Sequence, residues 1–201
     1  MEATGISAIV LAAGESRRMG QPKMLLPWGE TTVLGQVVAT FAAAGLEDIL
    51  VVTGGARLQV EALVAGLAKE FPVHPVFNPA FAQGEMLGSI QTGLSALGPG
   101  QRAALVGLGD QPQVRAGVVR RICTAFAEKG AALIIPSFQN RRGHPWLLAR
   151  SLWQEFLALP ATTTPRQFLQ AHAGEIIYLT VEDDSILRDI DTPEEYGRQR
   201  P

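Results

Sequence analysis

The chain has 201 residues, 47% hydrophobic and 18% charged, a balance that suits one folded domain over residues 1–201 and excludes a disordered chain. Its formal net charge of -2 excludes a global field that would gather nucleic acid or an acidic membrane, so any anion site is local. One cysteine excludes a disulfide framework and cysteine-based zinc spacing, and with no basic leader and no apolar run of membrane-spanning length the expectation is a cytoplasmic protein. In chain order, "ISAIVL" (6–11) predicts a buried strand, and the basic, glycine-containing loop "LAAGESRRMGQPKMLL" overlaps its end. Val33, Leu34, Val37, Val38 and Phe41 then form a helical stripe, with Thr31 or Thr32 to cap it and Gly45 to end it. "DILVVT" is the next strand and Gly54-Gly55 its turn; a helix bears Val60, Leu63, Val64 and Leu67, and "PVHPVF" is a shorter strand.

The alternation continues. Met86, Leu87, Ile90 and Leu94 mark a helix face, "AALVGLG" a strand, and Val114, Val118, Val119, Ile122 and Phe126 the clearest helical stripe, in which Cys123 reads as a half-buried residue. "AALIIP" is a further strand. From about Ser137 the rhythm breaks: "FQNRRGHPWLL" reads as an irregular loop entering an extended, antiparallel excursion. "SLWQEFLAL" predicts a helix, "EIIYLTV" a late strand, and "TPEEYGRQR" a closing helix with Pro193 in its first turn; "PATTTP" is the most loop-like interruption. Strands alternating with helices predict an α/β fold on a mainly parallel sheet.

In such a sheet ligands bind beyond the carboxyl ends of the strands. The loop after strand one offers the small residues Ala12, Ala13 and Gly14 for close backbone approach, and Arg17, Arg18 and Lys23 for phosphate oxygens. It is neither a Walker A loop nor GxGxxG. "GLGDQP" sets Asp110 at the end of another strand, where a carboxylate either holds Mg2+ or caps the helix near Val114, although Gln111 and Pro112 make the capping spacing poor. In "RDIDTPEEY", Asp189 and Asp191 point the same way if extended; Asp191 either completes a metal site or caps the last helix. "FNPAFAQGEMLGS" carries Asn78, Gly84 and Ser89 around a helix start, and "RRGHPW" carries His144, a general base or a turn former. No serine or cysteine is paired with a histidine, so covalent hydrolase chemistry has no support.

Five of these segments, in order, resemble the signatures of the MobA-like NTP transferases that act on the molybdenum cofactor: "LAAGESRRMGQPKMLL", "NPAFAQGEMLGSIQTGL", "GLGDQP", "RRGHPWLL" and "DIDTPEEY". The resemblance covers residues 6–196 and implies a three-layer Rossmann-like nucleotidyltransferase fold. It also implies transfer of a nucleoside monophosphate from an NTP to a phosphate acceptor, with release of pyrophosphate. It places Leu11, Ala12, Ala13, Gly14, Arg18, Lys23, Asn78, Gly84 and Ser89 at the nucleotide. Arg18, Lys23 and Asp110 are its catalytic residues, Asp110 and Asp191 its Mg2+ ligands, and Arg142, Gly143 and His144 its acceptor side. Members with LAAG, as here, use CTP, whereas those with LAGG use GTP. The implied substrates are therefore CTP and the molybdenum cofactor, with a molybdenum hydroxylase to receive the product. A guanylyltransferase, a cytidylyltransferase for another phosphate acceptor, and a non-catalytic cofactor chaperone are the alternatives.

Overall fold

The structure, a computed structural model, describes residues 4–83 and 86–201; Gly84 lies outside the described residues. Its elements in chain order are β1 (Ile6–Ala12), β2 (Pro27–Trp28), β3 (Thr31–Thr32), α1 (Val33–Ala43), β4 (Ile49–Thr53), α2 (Arg57–Leu67), β5 (Val73–Phe77), α3 (Met86–Ala96), β6 (Ala103–Leu108) and α4 (Ala116–Lys129). There follow β7 (Leu133–Phe138), β8 (Arg141–Arg142), β9 (Trp146–Ala149), α5 (Trp153–Leu157), α6 (Pro165–Ala171), β10 (Ile176–Thr180) and α7 (Pro193–Gln199).

The main sheet runs β10-β7-β9-β6-β1-β4-β5, with β8 paired to β7. β1 is parallel to β4 and β6, β4 to β5, and β7 to β10, while β9 lies antiparallel between β6 and β7. This is the expected α/β sheet with one antiparallel excursion. Side chains of a strand alternate between faces, and here both faces are apolar because both are covered. Ala8, Val10 and Ala12 of β1 join one buried cluster with α1, α2 and α4; Ile9 joins the other, with α3, α5 and α6. The result is three layers. Among the described residues no helix is long and apolar enough to cross a membrane.

Turn chemistry explains the excursion. Gln139 (φ 48°) and Asn140 (φ 63°) are both left-handed, the backbone that closes a tight hairpin between β7 and β8. Thr32 caps α1, accepting from Gly35 N at 3.0 Å, and Gly45 (φ 92°) follows its end. Thr192 caps α7 in a capping box with Glu195, whose carboxylate accepts from Thr192 N at 3.0 Å. Asp110 caps nothing: α4 starts at Ala116 with no side-chain cap. Cys123 is buried on α4, and burial pushes its thiol up to about 11.

The sequence pattern misses three things. The β2–β3 hairpin is too short to alternate. Met86 belongs to no core: it is 39% exposed, at the start of α3. The "SLWQEFLAL" segment forms a 3-10 turn and a five-residue α5, and a separate helix, α6, follows. Only Phe168 of α6 is buried, so no apolar stripe announces it. Its signal is local: Thr164, Pro165 and Gln167 make a capping box.

The C-terminal end of α6 is held by His172, whose ring nitrogens lie 2.7 Å from Glu175 Oε1 and 2.8 Å from Glu155 Oε1. The Glu175 hydrogen bond raises the His172 pKa above its ordinary value, aided by Glu155 and opposed by burial. A raised folded pKa stabilises fully below the unfolded histidine value and is lost as pH rises through the folded one. His172→Gln is therefore expected to melt below wild type at about pH 6, with the gap closing by about pH 9. Melting curves across that range check it; a gap of constant size would show that the charge of His172 contributes nothing.

Candidate active site

β1 and β6 are adjacent and parallel, so the loops that leave them emerge together at one sheet edge. Gly109 N bonds Leu11 O at 3.0 Å, drawing the second loop against the first; a Cβ on Gly109 would stand 2.9 Å from Met24 Sδ. The first loop folds around Ser16, which is left-handed at φ 52°. The Ser16 carbonyl accepts from Met19 N at 3.0 Å and its hydroxyl from Lys23 N at 3.2 Å, which fixes the turn containing Lys23.

The Lys23 ammonium bonds the Asp110 carboxylate and lies 2.8 Å from Asp191 Oδ1. Arg18 donates to the other oxygen of Asp191 at 2.7 Å. The segment before α7 is drawn in by Ile190 N, which bonds Asp110 O at 3.1 Å, while the buried Gln111 donates to Asp189 Oδ1 at 2.5 Å. Ile190 is fully buried, so Asp189 and Asp191 on either side of it both border the cavity.

The charges support one another. Burial alone would lower the Lys23 pKa, but Asp110 and Asp191 outweigh it and hold the ammonium charged. Burial would raise Asp191, and the Lys23 bond, with the charges of Lys23 and Arg18, brings it below the ordinary carboxylate value. Asp189 goes the other way: burial, then the charges of Asp110 and Asp191, raise it against the opposing Gln111 bond.

These groups border a cavity of about 300 Å3. Leu11, Ala13, Gly14, Lys23, Ser89, Asp110 and Asp191 line it together. Three expected nucleotide residues are placed differently, and a fourth is not described. Ala12 faces the opposite side of β1 and is 2% exposed in the core. Arg18 reaches Asp191 from outside and does not line the cavity. Asn78 stands behind the cavity, donating to Ser89 Oγ at 3.1 Å and accepting from Ala80 N at 3.0 Å, so it positions Ser89. Gly84 is not among the described residues. Arg17, the third cation of the loop, points away to Glu15 at 2.5 Å. Phe81 and Met86 also line the cavity; the sequence pattern did not single out Phe81 and gave Met86 only to a helix face.

Arg142, Gly143 and His144 line a second cavity of about 670 Å3 that meets the first at Met86. Gly143 N bonds Pro136 O at 3.0 Å, and His144 N bonds Ile186 O at 3.1 Å. A Cβ on Gly143 would stand 2.8 Å from the Ile186 Cβ, so only glycine allows this approach. Burial holds His144 neutral, lowering its pKa to about 4.

A divalent ion fits one observation here. Asp110 Oδ1 is buried with no hydrogen-bond partner, an acceptor turned away from water. Among the described residues no three His, Cys, Asp or Glu side chains gather for one ion. Asp110 and Asp191 could hold such an ion only together with oxygens from substrate or water.

A family model described as the MobA-like NTP transferase domain matches residues 8–176. The chain is 29% identical to the molybdenum cofactor cytidylyltransferase of Escherichia coli K12, over 96% of this chain and 94% of that one. It is 26% identical to the nicotine blue oxidoreductase of Paenarthrobacter nicotinovorans, over 96% and 95%. The structure of Rv0371c from Mycobacterium tuberculosis H37Rv matches with a TM-score of 0.82 at 29% identity, over 97% of both chains. A structure of Rv0371c in complex with manganese matches at 0.76 and 28%, over 97% of both chains. These neighbours share the layered fold expected from the sequence.

Replacing Lys23 by methionine removes the cation that holds Asp191 low. The Asp191 titration midpoint is expected to rise in Lys23→Met, read by carboxylate carbon NMR. An unmoved midpoint would assign its low value to Arg18 alone.

Proposed function

Since the chain belongs to the MobA-like NTP transferase family, we propose that it transfers CMP from CTP to the phosphate of molybdopterin and releases pyrophosphate. The observation that carries this reading is the Lys23 ammonium set between Asp110 and Asp191 in the wall of the cavity formed beyond β1 and β6. A cation and two carboxylates beside small-residue backbone suit a triphosphate and a divalent ion. They do not suit acyl transfer, which needs a nucleophile and a base.

In this mechanism an acceptor phosphate oxygen attacks the α-phosphorus of CTP. A new P–O bond forms, the bond from the α-phosphorus to the bridging oxygen breaks, and its electrons leave with pyrophosphate. Both reactants are anions, so charge neutralisation is the main catalytic task. Mg2+ bound to Asp110 and Asp191 would polarise the phosphoryl oxygens and offset their charge. Lys23 and Arg18 exchange carboxylate partners for phosphate oxygens, another charge-assisted pairing, and meet the charge that builds on the leaving group. Leu11, Ala13 and Gly14 give the nucleotide a backbone wall, and Ser89, oriented by Asn78, supplies a hydroxyl. The attacking phosphate is already ionised, so no general base is needed.

Ala13, where guanylyl members have glycine, favours CTP. The relative named a molybdenum cofactor cytidylyltransferase supports the same donor and acceptor; a molybdenum hydroxylase as recipient of the product and the cytoplasm as its setting are part of the proposal. A cofactor chaperone would not need the paired carboxylates. The oxidoreductase relative shows that the scaffold is associated with more than one described activity.

Incubation with Mg2+, molybdenum cofactor and each NTP is expected to release pyrophosphate with CTP and give a product heavier by CMP. Preference for GTP would replace the donor; tight CTP binding without pyrophosphate release would favour the chaperone. Lys23→Ala and Asp110→Ala are each expected to lose about 100- to 1000-fold in rate, on the order of 2.7–4 kcal/mol, with circular dichroism unchanged. Wild-type turnover in either variant would overturn the site.

A further inference from the structure

Residues 186–190, which lead to Asp191, are stapled to the loop after β6 by side-chain amides. Gln111, 3% exposed, donates from Nε2 to Asp189 Oδ1 at 2.5 Å and to Ile186 O at 3.4 Å. Gln199, the last residue of α7, donates to Asp189 O at 3.1 Å and accepts from Gln113. One backbone bond, from Ile190 N to Asp110 O, runs beside them. Asp189 is thus held at its side chain and at its carbonyl by neutral groups. Among the described residues it forms no ion pair, whereas Asp110 and Asp191 both pair with Lys23.

The orientation of the Gln111 amide is forced. Both groups bonded to its nitrogen are acceptors, so turning the amide over would set Oε1 against a carbonyl and a carboxylate. Oε1 is left buried with no hydrogen-bond partner, a cost that an apolar side chain in the same space would avoid. The task of this residue therefore lies at its donor end. A neutral donor also suits the place. A cation there would compete with Lys23 for Asp110 and Asp191, and a carboxylate would add to their repulsion.

We propose that Gln111 is a positioning residue, and that Asp189 is the anchor it grips and not a ligand of the divalent ion. The bond fixes the closing segment so that Asp191 stands across Lys23 from Asp110, where those two carboxylates can share one ion. This rests on the transferase reading and gives separate tasks to the aspartates on either side of Ile190. The Ile186 carbonyl, which accepts from both Gln111 Nε2 and His144 N, ties the same anchor to the loop of the neighbouring cavity.

The test is binding of Mn2+ alone, without nucleotide, read by electron paramagnetic resonance of the free ion. Wild type is expected to bind it. Gln111→Met, similar in length but without the donor, is expected to bind about tenfold more weakly, the effect of one lost charge-assisted bond. Asp189→Asn keeps an acceptor for Gln111 and should stay within about threefold of wild type, because an anchor needs its oxygen and a ligand needs its charge. Asp189→Leu removes the acceptor and should match Gln111→Met, and the double variant Gln111→Met/Asp189→Leu should lose no more than either alone. In turnover the Gln111→Met defect is expected in the Mg2+ concentration for half-maximal rate, with the rate at saturating Mg2+ within about threefold of wild type. No Mn2+ binding by wild type, unchanged binding by Gln111→Met, a loss in Asp189→Asn as large as that in Gln111→Met, or additive losses in the double variant would each overturn the assignment. So would a lower saturated rate at an unchanged Mg2+ requirement. Gln111-dependent Mn2+ binding in a protein that releases no pyrophosphate from any NTP would sink the transferase reading and leave the anchor standing.

Discussion

The Lys23 ammonium between Asp110 and Asp191 is the interaction on which the rest of the site depends. Carboxylates from two distant parts of the chain meet at a half-enclosed point, where their repulsion is weakly screened. One cation offsets both, and Arg18 steadies the more exposed of them. The arrangement imposes demands elsewhere. Ser16 must adopt left-handed backbone to turn the loop, Ile190 must be buried to seat the aspartates beside it, and α7 must find another cap. Thr192 supplies that cap, which leaves the Asp191 side chain free for Lys23 and Arg18.

Sheet topology brings these parts together. Parallel β1 and β6 present their ends at one edge, and antiparallel β9 between β6 and β7 carries the His144 loop to the neighbouring cavity. Each cavity has a distinct chemistry. The smaller gathers Lys23, Asp110, Asp189 and Asp191 beside small residues; the larger sets Asn140, Arg142, His144, Arg166 and Gln170 among Ile135, Trp146 and Leu169.

Elements with several buried residues were legible in the sequence because burial writes a period into it. β1, β4, β6 and β7 are apolar on both faces, and α4 carries a stripe from Val118 to Phe126. Elements with one buried residue left no such trace: α6 rests on Phe168 alone and is announced only by its capping box. Helical period also misled at Met86, which continues the apolar face of α3 but borders the cavities instead of the core. A period records which side of an element is apolar, and a ligand wall can be as apolar as a core.

For the site, the sequence by itself determined the charged residue types and their order at strand ends, since Lys23, Asp110 and Asp191 follow recognisable segments. Only the tertiary structure decided which of them meet and which neighbours stand behind them. Arg17 turns to Glu15 and Arg18 to Asp191 from outside; Ala12 faces the core and Ala13 the cavity; Asn78 serves Ser89. Period-2 alternation could separate Ala12 from Ala13 in principle. The other pairings join residues up to 173 positions apart, and such contacts are set by strand order and loop closure, which no local pattern of residues encodes.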